Sequence, residues 1–320
     1  MILVTGGTGF IGSHLVERLA EQGRAARCLV RRPNANLPPA VERAYGDLES
    51  GVGLSAALHR VDIVIHLAGV TKAHKPADYE NGNAVATANL LRACGDAKRF
   101  VHVSSLAAAG PSPCDRPLAE ADEPRPISHY GRSKLGGELA VRKSAVAARS
   151  IIIRPPVVYG PRDRDVYQVL RAAARGWITR IGAAPRRFSH IYVGDLVDGL
   201  IAAADHTVAG AEVFYLASES PVTWDEFGVL AARLMGRGVR TMTVPETFAY
   251  GLGFCAESWN RLRRKPGILS RDKIREACAT GWVCDPAKAG RELGFRASTS
   301  LEDGLRRSLA WYKEAGWLKF

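Results

Sequence analysis

No stretch of this sequence approaches the ~18–20 consecutive apolar positions that a bilayer-spanning helix needs, so no membrane span is expected. Cysteine is sparse and scattered: Cys28, Cys94, Cys114, Cys255, Cys278 and Cys284 contain no C-x-x-C pair. Such spacing excludes a disulfide framework or a zinc ribbon and leaves reduced packing residues. The eight histidines never fall into an H-x-x-x-H pair with a nearby carboxylate, so no metal centre is expected. Internal repeats and low-complexity tracts are missing, which excludes solenoids and arrays. There is no zinc-finger spacing, RNA-binding aromatic motif or continuous basic helix, and no nucleic-acid partner is expected. The chain enters an apolar run at once, Met1-Ile2-Leu3-Val4-Thr5, without the basic start and longer apolar core of a secretory signal. A cytoplasmic protein is the expectation.

What is present is ordinary globular composition: 320 residues, 47% hydrophobic and 24% charged. The 44 basic and 32 acidic residues leave a net charge of +12. A basic surplus favours anionic partners in general, nucleotide phosphates included. Here the arginines are spread along the whole chain and read as solvated faces. The densest cluster is Arg261, Arg263, Arg264 and Lys265, after the apolar stretch Phe248–Trp259. It reads as a helix end whose cations complement the dipole, with a peripheral membrane contact as the alternative.

The first half alternates short β-branched runs with longer amphipathic segments. Strands are predicted at Ile2–Thr5, Ala26–Val30, Glu42–Tyr45, Asp62–Leu67, Arg99–Ser104 and Ser150–Arg154. Helices are predicted near Phe10–Gln22, Gly53–Leu58, Ala77–Cys94 and Ser128–Ala147. This alternation, with strands that are near-continuous Val/Ile/Leu runs, predicts a doubly wound parallel sheet of α/β class with both faces covered. After Arg154, prolines and glycines break the pattern. A return to the sheet is predicted through Phe188–Val193, a helix at Asp195–Ala204 and a strand at Glu212–Leu216. Helices follow near Trp224–Met235, Glu246–Arg264, Arg271–Ala279, Pro286–Leu293 and Leu301–Glu314. The expected division is a dinucleotide-binding unit over 1–160, with 188–217 returning to it. A smaller, mostly helical substrate unit takes 161–187 and 218–320.

Three motifs carry chemistry. Thr5-Gly6-Gly7-Thr8-Gly9-Phe10-Ile11-Gly12 follows a strand and opens a helix. That is the context in which glycines let backbone N–H groups approach a pyrophosphate at a helix N-terminus, as in a Rossmann-type fold. Gly6, Gly9, Phe10, Ile11 and Gly12 are therefore candidate cofactor contacts. The second strand ends in Arg31-Arg32 rather than in an acidic residue. Guanidinium groups there suit a 2′-phosphate, so NADP(H) is favoured, with NAD(H) as the alternative if both arginines are merely solvated. Asp47 and Leu48, after the third strand, are placed to meet the adenine; Asp47 serves equally well as the cap of the next turn. Third, Tyr130-Gly131-Arg132-Ser133-Lys134 puts a phenol and an ammonium on one helical face, after a strand ending in Ser104-Ser105. A lysine beside the phenol is expected to lower its pKa and make it a usable acid or base, and a serine hydroxyl to hold the reacting oxygen.

With these motifs together, the chain resembles the extended short-chain dehydrogenases/reductases, the NAD(P)-dependent epimerase/dehydratase superfamily. The likeness runs over essentially the whole length. It includes His66-Leu67-Ala68-Gly69, Asn83 with Asn89-Leu90-Leu91, Arg154-Pro155-Pro156-Val157-Val158-Tyr159-Gly160-Pro161 and the ending Trp311-Tyr312…Gly316-Trp317. The resemblance implies Ser105, Tyr130 and Lys134 as catalytic residues, with Lys134 also holding the nicotinamide ribose. It implies cofactor contacts from Leu67, Ala68 and Gly69, and from Pro155 and Val157 near the nicotinamide. Asn83 is expected to position a helix rather than to catalyse.

Among the branches, nucleotide-sugar epimerases carry an asparagine where this chain has Val157, and an arginine where it has Phe188, with Arg186 and Arg187 just before. The 4,6-dehydratases use Thr-Asp-Glu where this chain has Ser105-Leu106-Ala107. Pro126-Ile127-Ser128-His129-Tyr130 with Arg154-Pro155-Pro156 is similar to the 3β-hydroxysteroid dehydrogenase and dihydroflavonol reductase branch, and Ala109 replaces the usual tyrosine there, enlarging the site. The resemblance thus implies an NADP(H)-dependent oxidoreductase acting on a small, fairly apolar hydroxyl/carbonyl substrate. The alternatives are a nucleotide-sugar epimerase with the same residues, or a non-catalytic NADPH-binding scaffold. A homodimer through the helices near Ala77–Cys94 and Ser128–Ala147 is a further expectation from the family.

Overall fold

Period-two burial explains the sheet. In the first strand Ile2 and Val4 face one apolar core while Leu3 faces another. Ile151 and Ile153 against Ile152, and Ile65 against Val64, divide in the same way. Strands apolar on both faces fit between two helical layers. The computed structural model describes residues 1–33, 35–95, 97–207, 210–263 and 271–320. The side chains of the basic run Arg261, Arg263, Arg264 and Lys265 lie outside the described residues.

The six predicted strands all form: β1 Ile2–Thr5, β2 Ala26–Val30, β3 Glu42–Tyr45, β4 Ile63–His66, β5 Arg99–Val103 and β6 Ser150–Ile153. With Glu212–Phe214 they make one sheet in the order β3-β2-β1-β4-β5-β6 and then that seventh strand. Every pair in it is parallel. This is a Rossmann-like sheet whose order reverses between β1 and β4, where the carboxyl ends of the strands open a crevice for ligands. Helix α1, Phe10–Glu21, and the helix Val193–Asp205 cover one face through Leu15, Leu19, Leu196 and Leu200. Leu54, Leu90, Leu91 and Val141 cover the other. A third core joins Tyr159, Leu170, Phe188, Phe227, Leu305, Leu309 and Tyr312 in the second half.

Three elements depart from the sequence reading. The helix predicted over Ala77–Cys94 is broken into Pro76–Tyr79, a π-helical turn at Glu80–Val85, and Ala86–Ala93. Phe188–Val193 does not rejoin the main sheet. Arg187–Phe188 pairs with Val222–Thr223, and His190–Tyr192 pairs with Val157–Tyr159. Pro155 and Pro156 supply no N–H to a ladder, so the chain leaves the sheet after Ile153 and starts a separate pair. A parallel pair, Trp177–Ile181 with Arg240–Val244, was not expected. Its second strand, Arg-Thr-Met-Thr-Val, is exposed at its first four positions and lacks an alternating apolar signal.

Candidate active site

The glycine loop closes at the switch point. Gly6 has φ +74°, a conformation that favours glycine, and a Cβ there would stand 2.6 Å from the Ala68 nitrogen. A Cβ at Gly12 would run into the Gly6 carbonyl oxygen. The loop is pulled tight by Gly9 N–H donating to Gly6 O at 2.9 Å, and helix α1 begins immediately after Gly9. A cradle that side chains would fill, ending on a helix N-terminus beside the β4 loop, fits the diphosphate of a dinucleotide. Leu67 N–H donates to Thr5 O at 3.2 Å, which brings Leu67, Ala68 and Gly69 to the same strand edge.

From this loop a chain of hydrogen bonds runs to the helix that carries the tyrosine. Ala68 N–H donates to Thr5 Oγ1 at 3.2 Å, and Thr5 Oγ1 lies 2.6 Å from His66 Nδ1. His66 Nε2 lies 2.9 Å from Thr87 Oγ1, which donates to Asn83 O at 2.6 Å. Because the Thr87 hydrogen is committed to Asn83, Nε2 must carry the imidazole proton and Nδ1 must accept from Thr5. Burial and the Lys134 charge push the His66 pKa down to about 3, so the ring is neutral. The Asn83 side chain accepts from Val70 N at 2.8 Å and donates to Val70 O at 3.0 Å and Ser133 Oγ at 2.8 Å. Ser133 in turn donates to Tyr130 O at 2.7 Å. The π-turn presents Asn83 between the β4 loop and this helix, a placement common for such turns at functional sites.

The helix His129–Lys143 is started by Ser128, whose Oγ accepts from Gly131 N at 3.0 Å. A side chain at Gly131 would strike the Ala107 carbonyl oxygen. Glycine therefore lets the helix press against the segment after β5, bringing Tyr130 to Ser105. Ser105 caps the short turn Leu106–Ala109 by accepting from Ala107 N at 3.2 Å. Tyr130's pKa is raised by burial, opposed by its hydrogen bond with Ser105 and by the Lys273 charge. The expectation of a lowered value is thus corrected for the free protein: desolvation of the phenolate outweighs the nearby cation. Lys134 is buried and donates to Val103 O at 2.7 Å. Burial brings its pKa down to about 8 against the favourable charge of Glu138. Its ammonium stands 3.6 Å from where a Gly69 side chain would begin.

Two contributions escaped the sequence reading. Glu138, one further turn along the face of Tyr130 and Lys134, pairs with Arg154 at 2.6 Å; both side chains are at most 2% exposed. Ser104 donates to Glu138 at 2.5 Å, and Arg154 donates to the Tyr215 hydroxyl at 3.3 Å, so the ends of β5 and β6 are tied to the helix. The four-residue spacing Tyr-x-x-x-Lys-x-x-x-Glu was the available signal. The other is the helix Arg271–Ala277, which lies over the site. Asp272 accepts from His129 N at 2.7 Å, and Lys273 Nζ lies 5.8 Å from the centroid of the Tyr130 ring, paired with Glu276 at 2.8 Å. No local pattern marks that contact.

The remaining candidates sit around this centre. Arg31 and Arg32 are exposed at the end of β2. Asp47 accepts from Ser50 N at 2.7 Å, the turn-capping role. Leu48 packs on the second core, and its carbonyl accepts from Asn89 Nδ2 at 2.8 Å. Pro155 O accepts from Leu106 N at 2.9 Å, beside Ser105, and Val157 packs against the third core. Phe188 is buried and stacked on Trp224 at 4.1 Å. Arg187 donates to Pro221 O at 2.6 Å, and Arg186 is held by Glu246 and Ile181 O.

Residues 2–217 match the family described as NAD dependent epimerase/dehydratase. Over 99% of its length the chain is 32% identical to a ceramide reductase of Caulobacter vibrioides, covering 96% of that protein. It is 26% identical to a decarboxylating sterol-4-alpha-carboxylate 3-dehydrogenase of Candida albicans, covering 98% of this chain and 97% of the relative. Among solved structures, MoeE5 in complex with UDP-glucuronic acid and NAD superposes with a TM-score of 0.78 at 29% identity, covering 98% of this chain and 99% of that one.

Proposed function

The chain belongs to the NAD dependent epimerase/dehydratase family, and from that premise we propose that it is an NADP(H)-dependent oxidoreductase interconverting a carbonyl and a hydroxyl on an apolar, lipid-like small molecule. It is an enzyme of the extended short-chain dehydrogenase/reductase kind. The observation that carries the substrate reading is the state of Phe188 and its neighbours. Phe188 is stacked into a core, and Arg186 and Arg187 are engaged by Glu246, Ile181 and Pro221. A sugar-nucleotide diphosphate entering there would leave water without a committed cation, and an unmatched buried charge costs several kcal/mol. The ceramide and sterol relatives support a lipid-like substrate.

A nicotinamide cofactor held by the glycine loop 6–12 and beside Gly69 and Lys134 would supply the hydride equivalent that carbonyl reduction needs. Tyr130, kept protonated at neutral pH by burial, gives its phenolic proton to the carbonyl oxygen. The Ser105 hydroxyl orients that oxygen. Lys134, one turn beyond Tyr130 on the same helix, holds its ammonium beside Gly69, where it serves the ribose hydroxyls. Solvent returns the proton to Tyr130, so one C=O becomes one CH–OH for each NADPH consumed.

The MoeE5 likeness favours a second reading, a nucleotide-sugar epimerase working through the same residues without net redox change. Calorimetry of UDP-glucose and UDP-glucuronic acid on the NADP-loaded protein separates the two. The oxidoreductase reading expects binding no tighter than millimolar. Micromolar binding that disappears in Arg187→Ala promotes the epimerase.

A further inference from the structure

The described residues expose four Phe, Trp or Met side chains, and all four lie in three neighbouring elements, two paired strands and a helix: Trp177, Met242, Phe248 and Phe254. Tyr250 and Leu252 join them, so this region holds six of the eleven exposed large hydrophobic side chains. Most come from the helix Glu246–Arg263, which Pro245 joins directly to the strand Arg240–Val244. Ala249 and Gly253 turn inward, whereas Phe248 and Leu252, one turn apart, form an outward ridge 60% and 45% exposed. On the adjoining two-stranded sheet Trp177 stands opposite Arg240 and Thr179 opposite Met242, which puts Trp177 and Met242 on one uncovered face. Exposed large apolar side chains gathered in this way mark an interaction surface.

Charge identifies the occupant. Residues 237–265 hold six basic side chains (Arg237, Arg240, Arg261, Arg263, Arg264 and Lys265) against two acidic ones, Glu246 and Glu257. Glu246 is already paired with Arg186. Arg175, Arg237 and Arg240 are exposed around Trp177 and Met242. An aromatic, apolar ridge with a basic surround complements an interface of acyl chains and anionic headgroups. No helix among the described residues is long and apolar enough to cross a membrane. We propose that the helix Glu246–Arg263 and the adjoining sheet face dock the protein on an anionic lipid surface, lying in the interface plane.

The docking element is joined to the active site. The helix Arg271–Ala277 packs beside it, with the Arg271 guanidinium 4.2 Å over the Phe254 ring, and the same short helix sets Lys273 against Tyr130. Docking would hold the helix that contacts Tyr130 next to the bilayer, a route of delivery for a lipid-like carbonyl. Only this route of delivery rests on the functional reading above; attachment to the surface does not.

Co-sedimentation of the full chain with phosphatidylglycerol/phosphatidylcholine vesicles tests it. The wild type is expected to pellet with the mixed vesicles and to stay in solution with pure phosphatidylcholine. Phe248→Asp combined with Leu252→Asp should lower the bound fraction on the order of tenfold, with an unchanged circular-dichroism melt. Arg237→Glu with Arg240→Glu, two exposed positions, gives a second variant should the first fold poorly; it should weaken binding and its salt dependence. NADPH oxidation with a water-soluble ketone should be the same in all forms, so a failed surface and a failed reaction reading are told apart. A wild type that ignores anionic vesicles overturns the proposal. So does a pair of variants that pellets like the wild type, or sedimentation velocity showing a dimer that both variants dissolve.

Discussion

Lys273, contributed by the C-terminal half of the chain, holds its ammonium 5.8 Å from the centroid of the Tyr130 ring. Lys134, on the tyrosine's own helix, gives its ammonium to the Val103 carbonyl at 2.7 Å. Burial raises the phenol's pKa, and one of the contributions that oppose it, the cation over the ring, is supplied across the two halves. A cation stabilises the phenolate and lowers the phenol's pKa, so its removal raises it. In Lys273→Met the alkaline limb of carbonyl reduction should move to higher pH, because the proton-donating form of Tyr130 persists further. A pH profile of kcat/KM checks this, and an unmoved limb contradicts it.

Arg31→Asp made with Arg32→Ala should shift preference from NADP(H) toward NAD(H). On the proposed reading the guanidiniums exposed at the end of β2 meet a 2′-phosphate, which a carboxylate there would repel while accepting from free ribose hydroxyls. The loss of one charge-assisted contact is worth ~1.5–3 kcal/mol, roughly ten- to a hundredfold in NADPH affinity. Fluorescence titration with both cofactors measures it. A wild type that already prefers NAD(H) contradicts the assignment.

Glu138→Ala should destabilise the fold by about 3–5 kcal/mol, since it strands the Arg154 guanidinium in a site from which water is excluded. Urea unfolding reads the change directly. A loss under about 1 kcal/mol, the size of a surface pair, would show that the pair is not what ties the tyrosine helix to β5 and β6.

His102 lies buried against His66, ring centroids 5.4 Å apart, and neither of its nitrogens has a hydrogen-bond partner among the described residues. Burial and the charge of Lys134 hold its pKa well below the ordinary 6.5. The unfolded chain therefore takes up this proton first as pH falls below 6.5, and the folded state loses stability there. In His102→Leu that penalty is absent. The variant's melting temperature, relative to wild type, should be higher at pH 5 than at pH 8 by at least about 2–4 °C. An equal difference at both pH values contradicts the account.

The sheet was legible because its strands bury both faces, and a run such as Ser-Ile-Ile-Ile at β6 has few other homes. The glycine loop was legible because Gly6 and Gly12 answer to local backbone geometry. What could not be read were consequences of long-range contact. The π-turn carries Asn83 onto Val70 in the loop after β4, and an even helical pattern does not reveal the extra residue. Lys273 meets Tyr130 across nearly half of the chain, with no periodicity to announce it. The exposed pair Trp177–Ile181 and Arg240–Val244 has little apolar pattern for the sequence to display. Tyr130's acidity also misled, because the spacing to Lys134 is local while the burial that outweighs it is tertiary.

The central claim is that Tyr130 transfers a proton during NADPH-dependent reduction of an apolar carbonyl. Its most direct test follows NADPH absorbance with a long-chain ketone in mixed micelles, comparing wild type with Tyr130→Phe. The account predicts one NADPH consumed per alcohol formed by the wild type. It predicts a loss of ~10²–10⁴-fold or more in Tyr130→Phe with NADPH affinity unchanged, the scale of general acid catalysis. Turnover that persists in Tyr130→Phe, or a wild type that leaves NADPH intact while interconverting UDP-sugars, would contradict it.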